Sequence, residues 1–320
     1  MQVVWRRAWA GVRTGWGRVQ TVGTLAVVVV PLALVLRWGL VERSSGPSFS
    51  PRPDSLEYAA AAHSLAAEGR YVLHVGPYEA PPRPPPGWPL LLSLLVRAGV
   101  VSESLWRITA VFGAAHALLL AIITARAVQL LLAWRGWLAN DPRTRRRMLL
   151  AGLIAGGGWA IAPLSVDWDR TLMNDQATAF LAHAALFLAA IGLLGESRSR
   201  GRTVGLLLAG LAAGWALAMR PMTGYLLLGP VVALAIGGAR LHGVRRTAGR
   251  LAWPVSAVLL VVGVVGQTMR ASGRPFGEWS GYSYWLPELY GHLDRVFNLS
   301  LIHISEPTRL LSISYAVFCL

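Results

Sequence analysis

Asp54 follows Pro53 directly and stands three residues ahead of Glu57, with Tyr58 next in line, at the head of a stretch otherwise rich in alanine. An aspartate followed three residues later by an acid is a helix-start pattern, with Asp54 as N-cap and Glu57 at the third helical position. Carboxylates are also what a proton acceptor or a hard-metal ligand needs, so capping and chemistry compete for the same residues. Two guanidiniums add a second capability. Arg83 precedes a proline run and Arg220 precedes Pro221; an arginine can hold a phosphate by two parallel hydrogen bonds and keeps its charge at any physiological pH. The plainer role for either arginine is an interfacial anchor on lipid headgroups. Asp175 stands where an apolar run begins, suited to bind a ligand or metal or to cap that run.

Histidine offers less. His63 and His74 lie near several acids, but no H-x-x-x-H or H-E-x-x-H spacing marks a metal site, and ordinary surface or packing roles are the expectation. His116 and His183 fall inside apolar runs, where a neutral imidazole can bond to a neighbouring helix. The single cysteine, Cys319, supports no disulfide framework, and no phosphate-binding loop or dinucleotide fingerprint is present.

What must position these residues is a membrane scaffold. Of 320 residues 54% are apolar and only 14% charged, with apolar runs long enough to cross a bilayer. Seven spans are expected: Thr21–Leu40, Ile108–Ala125, Met148–Val166, Gln176–Leu194, Thr203–Met219, Met222–Ala239 and Leu251–Gln267. All 30 basic residues are arginine, and with a cytoplasmic N-terminus 17 of them fall on inner segments beside only two acids, Asp141 and Glu196. The outer segments, counting Arg37 at the end of the first run, hold twelve of each sign ahead of Leu299. The basic excess is therefore a topology signal rather than a nucleic-acid surface. An all-α, multi-pass helical bundle follows, with acids gathered on the outer face.

The first outer loop, about residues 41–107, is the longest connection. It predicts the alanine-rich helix, a hairpin-like piece over Gly69–Ala80, and a helix over Pro89–Val100 that is too short to span and so lies at the interface or re-enters. Gly152 with Gly156, and Gly210 with Gly214, have the spacing that lets helices approach closely in lipid. Trp279, Tyr282, Tyr284, Trp285 and Tyr290 fit an interfacial aromatic belt and could also stack on sugar rings. Leu299–Leu320 is similar to the in-frame translation of a transposon-based sequencing adapter, so the natural sequence is expected to depart near Asn298 and the protein to be a fragment of a longer chain.

Four motifs in order, Asp54-Ser-Leu-Glu-Tyr58, Arg83-Pro-Pro-Pro-Gly-Trp-Pro, Asp167-Trp-Asp-Arg-Thr-Leu-Met-Asn-Asp175-Gln-Ala-Thr-Ala-Phe180, and Met219-Arg220-Pro-Met-Thr-Gly224, resemble the GT-C superfamily of membrane glycosyltransferases. The likeness is to the branch holding protein O-mannosyltransferases, aminoarabinose transferases and bacterial enzymes of the RgtA-to-D type, over Thr21 to about Gln267 within a domain of residues 1–298. It implies transfer of a sugar from a polyprenyl-phosphate donor to a glycan, lipid or protein hydroxyl at the outer face of a bacterial cell membrane. Asp54 would then be general base or metal-assisted acceptor activator, Arg83 and Arg220 phosphate ligands, and Glu57, Tyr58 and Asp175 substrate-binding groups. A divalent metal, held by Asp54 or Asp175, is compatible with the resemblance. Asp167-Trp-Asp spells the D-x-D of soluble glycosyltransferases, but those use nucleotide sugars in the cytoplasm and this loop faces outward. The competing expectation is a lipid or solute transporter, or a non-catalytic protein of the same fold.

Overall fold

A computed structural model describes residues 19–43, 53–75, 78–100, 104–105, 107–135, 137, 141–162, 165–166, 171–195 and 200–274. Nine helices and one two-stranded sheet are described there: α1 (Val19–Arg43), α2 (Pro53–Glu68), β1 (Leu73–Val75), β2 (Tyr78–Ala80), α3 (Gly87–Arg97), α4 (Arg107–Trp134), α5 (Pro142–Ile161), α6 (Asp175–Leu194), α7 (Arg200–Met219), α8 (Thr223–His242) and α9 (Val244–Ala271). Each of the seven apolar runs contributes a helix. Among the described residues five of these, α4 and α6 to α9, are long and apolar enough to cross a membrane. The other two fall short for visible reasons: α5 spends its start on Arg143, Arg145, Arg146 and Arg147, and the apolar stretch described in α1 is Gly23–Arg37.

Two groups of helices share the middle of the molecule. In the first, α1, α4 and α5 meet around Leu25, Val29, Ala117, Ala121 and Met148. Gly152 and Gly156 permit this approach, because a Cβ on either would lie 2.8 Å from a carbonyl oxygen of α4, at Ala121 or Ala117. In the second, α7 packs on both α6 and α9, with Gly210 closed directly against Pro254 of α9 and Gly214 against Val261. Both glycine pairs thus act as the lipid-phase spacing predicts. α4 also touches α6, which joins the groups, and α8 lies outermost, against α6 and α9. Gly243, at φ +85°, is the single residue between α8 and α9, a left-handed position that reverses the chain without a side chain to clash.

The first loop folds onto one end of this bundle. α2 buries Tyr58, Ala61, Ala62 and Leu65, a 3.6-residue stripe that faces α3 and the helix ends. The hairpin pairs Leu73 with Ala80 and His74 with Glu79. Fully buried Tyr71 fixes it in place: its hydroxyl donates to the Pro84 carbonyl at 2.6 Å and its backbone N–H donates to Ser272 Oγ, beyond α9, at 2.6 Å. Burial first, then the neighbouring Tyr58 and Glu57, push the Tyr71 phenol well above its ordinary range. α3 starts two residues earlier than the sequence suggests, because Gly87 must sit against α7: a Cβ there would lie 2.5 Å from the backbone of Ala218.

Candidate functional site

Glu57 leaves the capping role that its position predicts. Its carboxylate, only 6% exposed, is turned to the proline loop, where it accepts from the backbone N–H of Arg83, from Arg83 Nε at 2.9 Å, and pairs with Nη2 at 2.8 Å. The helix itself begins at Pro53, so Asp54 is its second residue rather than its N-cap. Pro53 in the first position suits the helix start, since its missing N–H is one of the donors the first turn would leave unsatisfied. The Asp54 side chain lies outside the described residues; its backbone is one helical turn from Glu57.

A second pair forms on the far side of the same end. Arg220 Nη2 meets Asp175 Oδ1 at 2.7 Å, with the guanidinium about half exposed and the carboxylate largely covered. Asp175 is the first residue of α6, and the cap position belongs to Asn174, whose side chain makes no capping bond. Asn174 instead crosses to α7, donating to the Met219 carbonyl at 2.9 Å and accepting from Arg220 Nε at 3.1 Å. Arg220 therefore has its orientation set by Asn174 and Asp175 at the head of α6. Asn174 was not picked out by sequence reasoning. The only local signal was an asparagine ahead of a helix start, and that signal points to capping, not to a bond across helices.

One apolar cluster carries both pairs. Tyr58 and Ala62 from α2, Trp88 and Leu92 from α3, Leu172 and Ala177 at the head of α6, and Met219 at the foot of α7 are buried together. Trp88 Nε1 donates to the Leu172 carbonyl at 3.1 Å, locking α3 to the loop before α6. Tyr58, expected to touch substrate, is 5% exposed within this cluster and packs there. Glu57 and Arg83 on one flank and Asp175 and Arg220 on the other are thus presented at one end of the bundle by a common platform.

The divalent metal implied by the resemblance finds a poor host at Asp175. A guanidinium already sits on one carboxylate oxygen, and a dication beside it would meet direct repulsion. Elsewhere in the loop, Glu68, His74 and Glu79 bring one ligand atom each within 4.8 Å of one another. The spacing rules missed this group because it is assembled by the hairpin register, His74 opposite Glu79, and by the end of α2. All three are exposed; His74 Nε2 lies 2.7 Å from Glu68 and Arg70 binds Glu79 by two hydrogen bonds, which hold the Glu79 carboxyl below its usual value.

Beneath the platform runs a buried polar seam that no sequence pattern announced. Arg37, at 0% exposure, donates to the Trp159 carbonyl at 2.9 Å and to Ser165 Oγ at 2.6 Å, and Gln176 Nε2 donates to the same hydroxyl at 2.7 Å. His116 meets Trp159 edge-on, ring centroids 4.7 Å apart, and its Nε2 lies 3.1 Å from His183 Nδ1. The two intramembrane histidines are each other's partners across α4 and α6.

Asp167, Asp169, the aromatic group from Trp279 to Tyr290, Cys319 and the segment Leu299–Leu320 lie outside the described residues. Compared with models of known protein families, with curated proteins and with solved structures, the chain matches none of them.

Proposed function

We propose that the chain is a membrane glycosyltransferase of the GT-C kind that moves a sugar from a polyprenyl-phosphate donor to an acceptor hydroxyl at the outer face of a bacterial cell membrane. The observation that carries this reading is the gathering of Glu57, Arg83, Asp175 and Arg220, from three separate parts of the chain, onto one platform at the acid-rich end of the bundle. In the same reading α1 and α5 complete seven spans and the N-terminus is cytoplasmic.

The chemistry asks little of the protein. The acceptor oxygen bonds to the sugar's anomeric carbon, with inversion, as the bond from that carbon to the phosphate oxygen breaks and the phosphate keeps the electron pair. The acceptor proton passes to the Asp54 carboxylate, whose ordinary pKa near 4 makes it a taker only as the new bond forms. Charge grows on the departing phosphate, and Arg220, with its orientation preset by Asn174 and Asp175, meets it without reorganising. Arg83 is more deeply tied to Glu57 and shapes the loop wall as well as adding charge. No step is routed through a metal.

The test is release of labelled sugar from a polyprenyl-phosphate donor by purified protein and by Asp54→Asn. A loss of about 100-fold or more is expected; equal turnover removes Asp54 from the mechanism. The second reading, a transporter, draws on the His116–His183 pair inside the spans. Substrate flux across proteoliposomes with no sugar transfer would favour it.

A further inference from the structure

Away from the platform, an apolar groove of about 1010 Å³ lies between α4, α6 and α8. It exists because α8 leans on α6 and α9 and leaves one face of α6 open towards α4. Large apolar side chains such as Leu186, Phe187 and Leu234 form most of its wall, and Ala190 on α6 with Ala233 and Gly237 on α8 leave the space between them. His183 marks one end of the α6 wall, Arg240 on α8 stands at the other, and Ile123 faces the groove from α4.

Its dimensions match one leaflet. From His183 to Leu194 the α6 wall rises about 16 Å at 1.5 Å per residue, close to half of a hydrocarbon core about 30 Å thick. One end is therefore near the bilayer middle, and the other reaches the surface that carries Arg245, Arg246 and Arg250.

Arg240 has no competing duty among the described residues. The carbonyls that end α6 are already answered, Leu193 by Arg250 Nη1 at 2.8 Å and Leu194 by His242 Nε2 at 3.1 Å. Arg240 itself is exposed at the groove mouth. An apolar trough one leaflet long with a guanidinium at its surface end is complementary to a molecule with hydrocarbon chains and an anionic head.

We propose that this groove binds an anionic diacyl phospholipid from the leaflet on the arginine-rich side, chains along α6 and α8 and phosphate on Arg240. The site is at the opposite end of the bundle from Arg220 and is independent of sugar transfer.

The experiment is titration of the detergent-purified, delipidated full chain with a fluorescent phosphatidylglycerol, with phosphatidylcholine of the same chains and a polyprenyl phosphate as competitors. Wild type should retain phosphatidylglycerol over phosphatidylcholine. Arg240→Gln should weaken phosphatidylglycerol about fivefold and erase that preference. Ala233→Phe, at an exposed position that lines the groove, should weaken both lipids together. Equal retention of the two lipids by wild type, or unchanged binding in both variants, overturns the proposal. Tighter binding of polyprenyl phosphate than of phosphatidylglycerol overturns the choice of occupant. Thermal unfolding of each variant near the wild-type midpoint shows that a loss of binding is not a loss of fold.

Discussion

Arg83 and Arg220 have their charges answered before any ligand arrives, and the two answers differ. Glu57 is buried and faces Arg83 through both its backbone and its side chain, so removing the arginine leaves a covered carboxylate with nothing to balance it. Arg83→Ala should therefore cost about 3 kcal/mol, whereas Glu57→Gln, which still accepts from the Arg83 N–H, should cost about 1 kcal/mol. Thermal unfolding in detergent measures both, and equal losses would contradict the asymmetry. Tyr71 carries a pH prediction. Its phenol is raised in the folded protein, so the stabilisation is present in full below the unfolded value of about 10 and is lost as pH climbs from there towards the folded value. Tyrosinate absorbance should show one phenol that ionises only with unfolding, and Tyr71→Phe should abolish that late step. The residue types at the platform were legible because the chain has only 15 acids and its arginines stand mostly between the apolar runs. Their partners were not: Glu57 meets Arg83 across 26 residues that include the hairpin, and Asn174 with Arg220 joins two helices, so neither leaves a local pattern.

Helices were easier to read than their ends. The stripe Tyr58, Ala61, Ala62, Leu65 repeats at helical spacing and is the face α2 buries. The starts of α2 and α3 were set by contacts outside their own sequence: Arg83 draws Glu57 away from a cap, and α7 dictates a glycine at position 87. Gly87→Ala should push α3 off α7 and cost about 1–3 kcal/mol. Gly263→Ala, where an added Cβ meets nothing within 4 Å, should be neutral or slightly stabilising. Sugar transfer, measured alongside, should fall with the first and hold with the second, because only α3 and the Arg83 loop rest on that contact. A loss of activity in both would detach function from the seating of α3.

Across the bundle, alternating helix directions set the loop helices and the arginine-rich turns at opposite ends, the arrangement that charge counting predicts. A membrane-impermeant thiol reagent added outside intact cells should label Ala67→Cys, on exposed α2, and leave Arg245→Cys untouched until the membrane is opened, each in a Cys319→Ser background. Labelling of both, or the reverse order, would invert or cancel the topology. A hydropathy window judges each segment alone; α5, with arginines in its first turns, falls short of a span by composition although Gly152 and Gly156 bind it tightly to α4. The one-residue joint at Gly243 couples the two helices it separates. With a single residue between them, α8 and α9 have no slack, and the direction in which one ends fixes the direction in which the next begins. A shift of α8 is therefore handed to the first turn of α9 and, through Pro254 against Gly210, to α7.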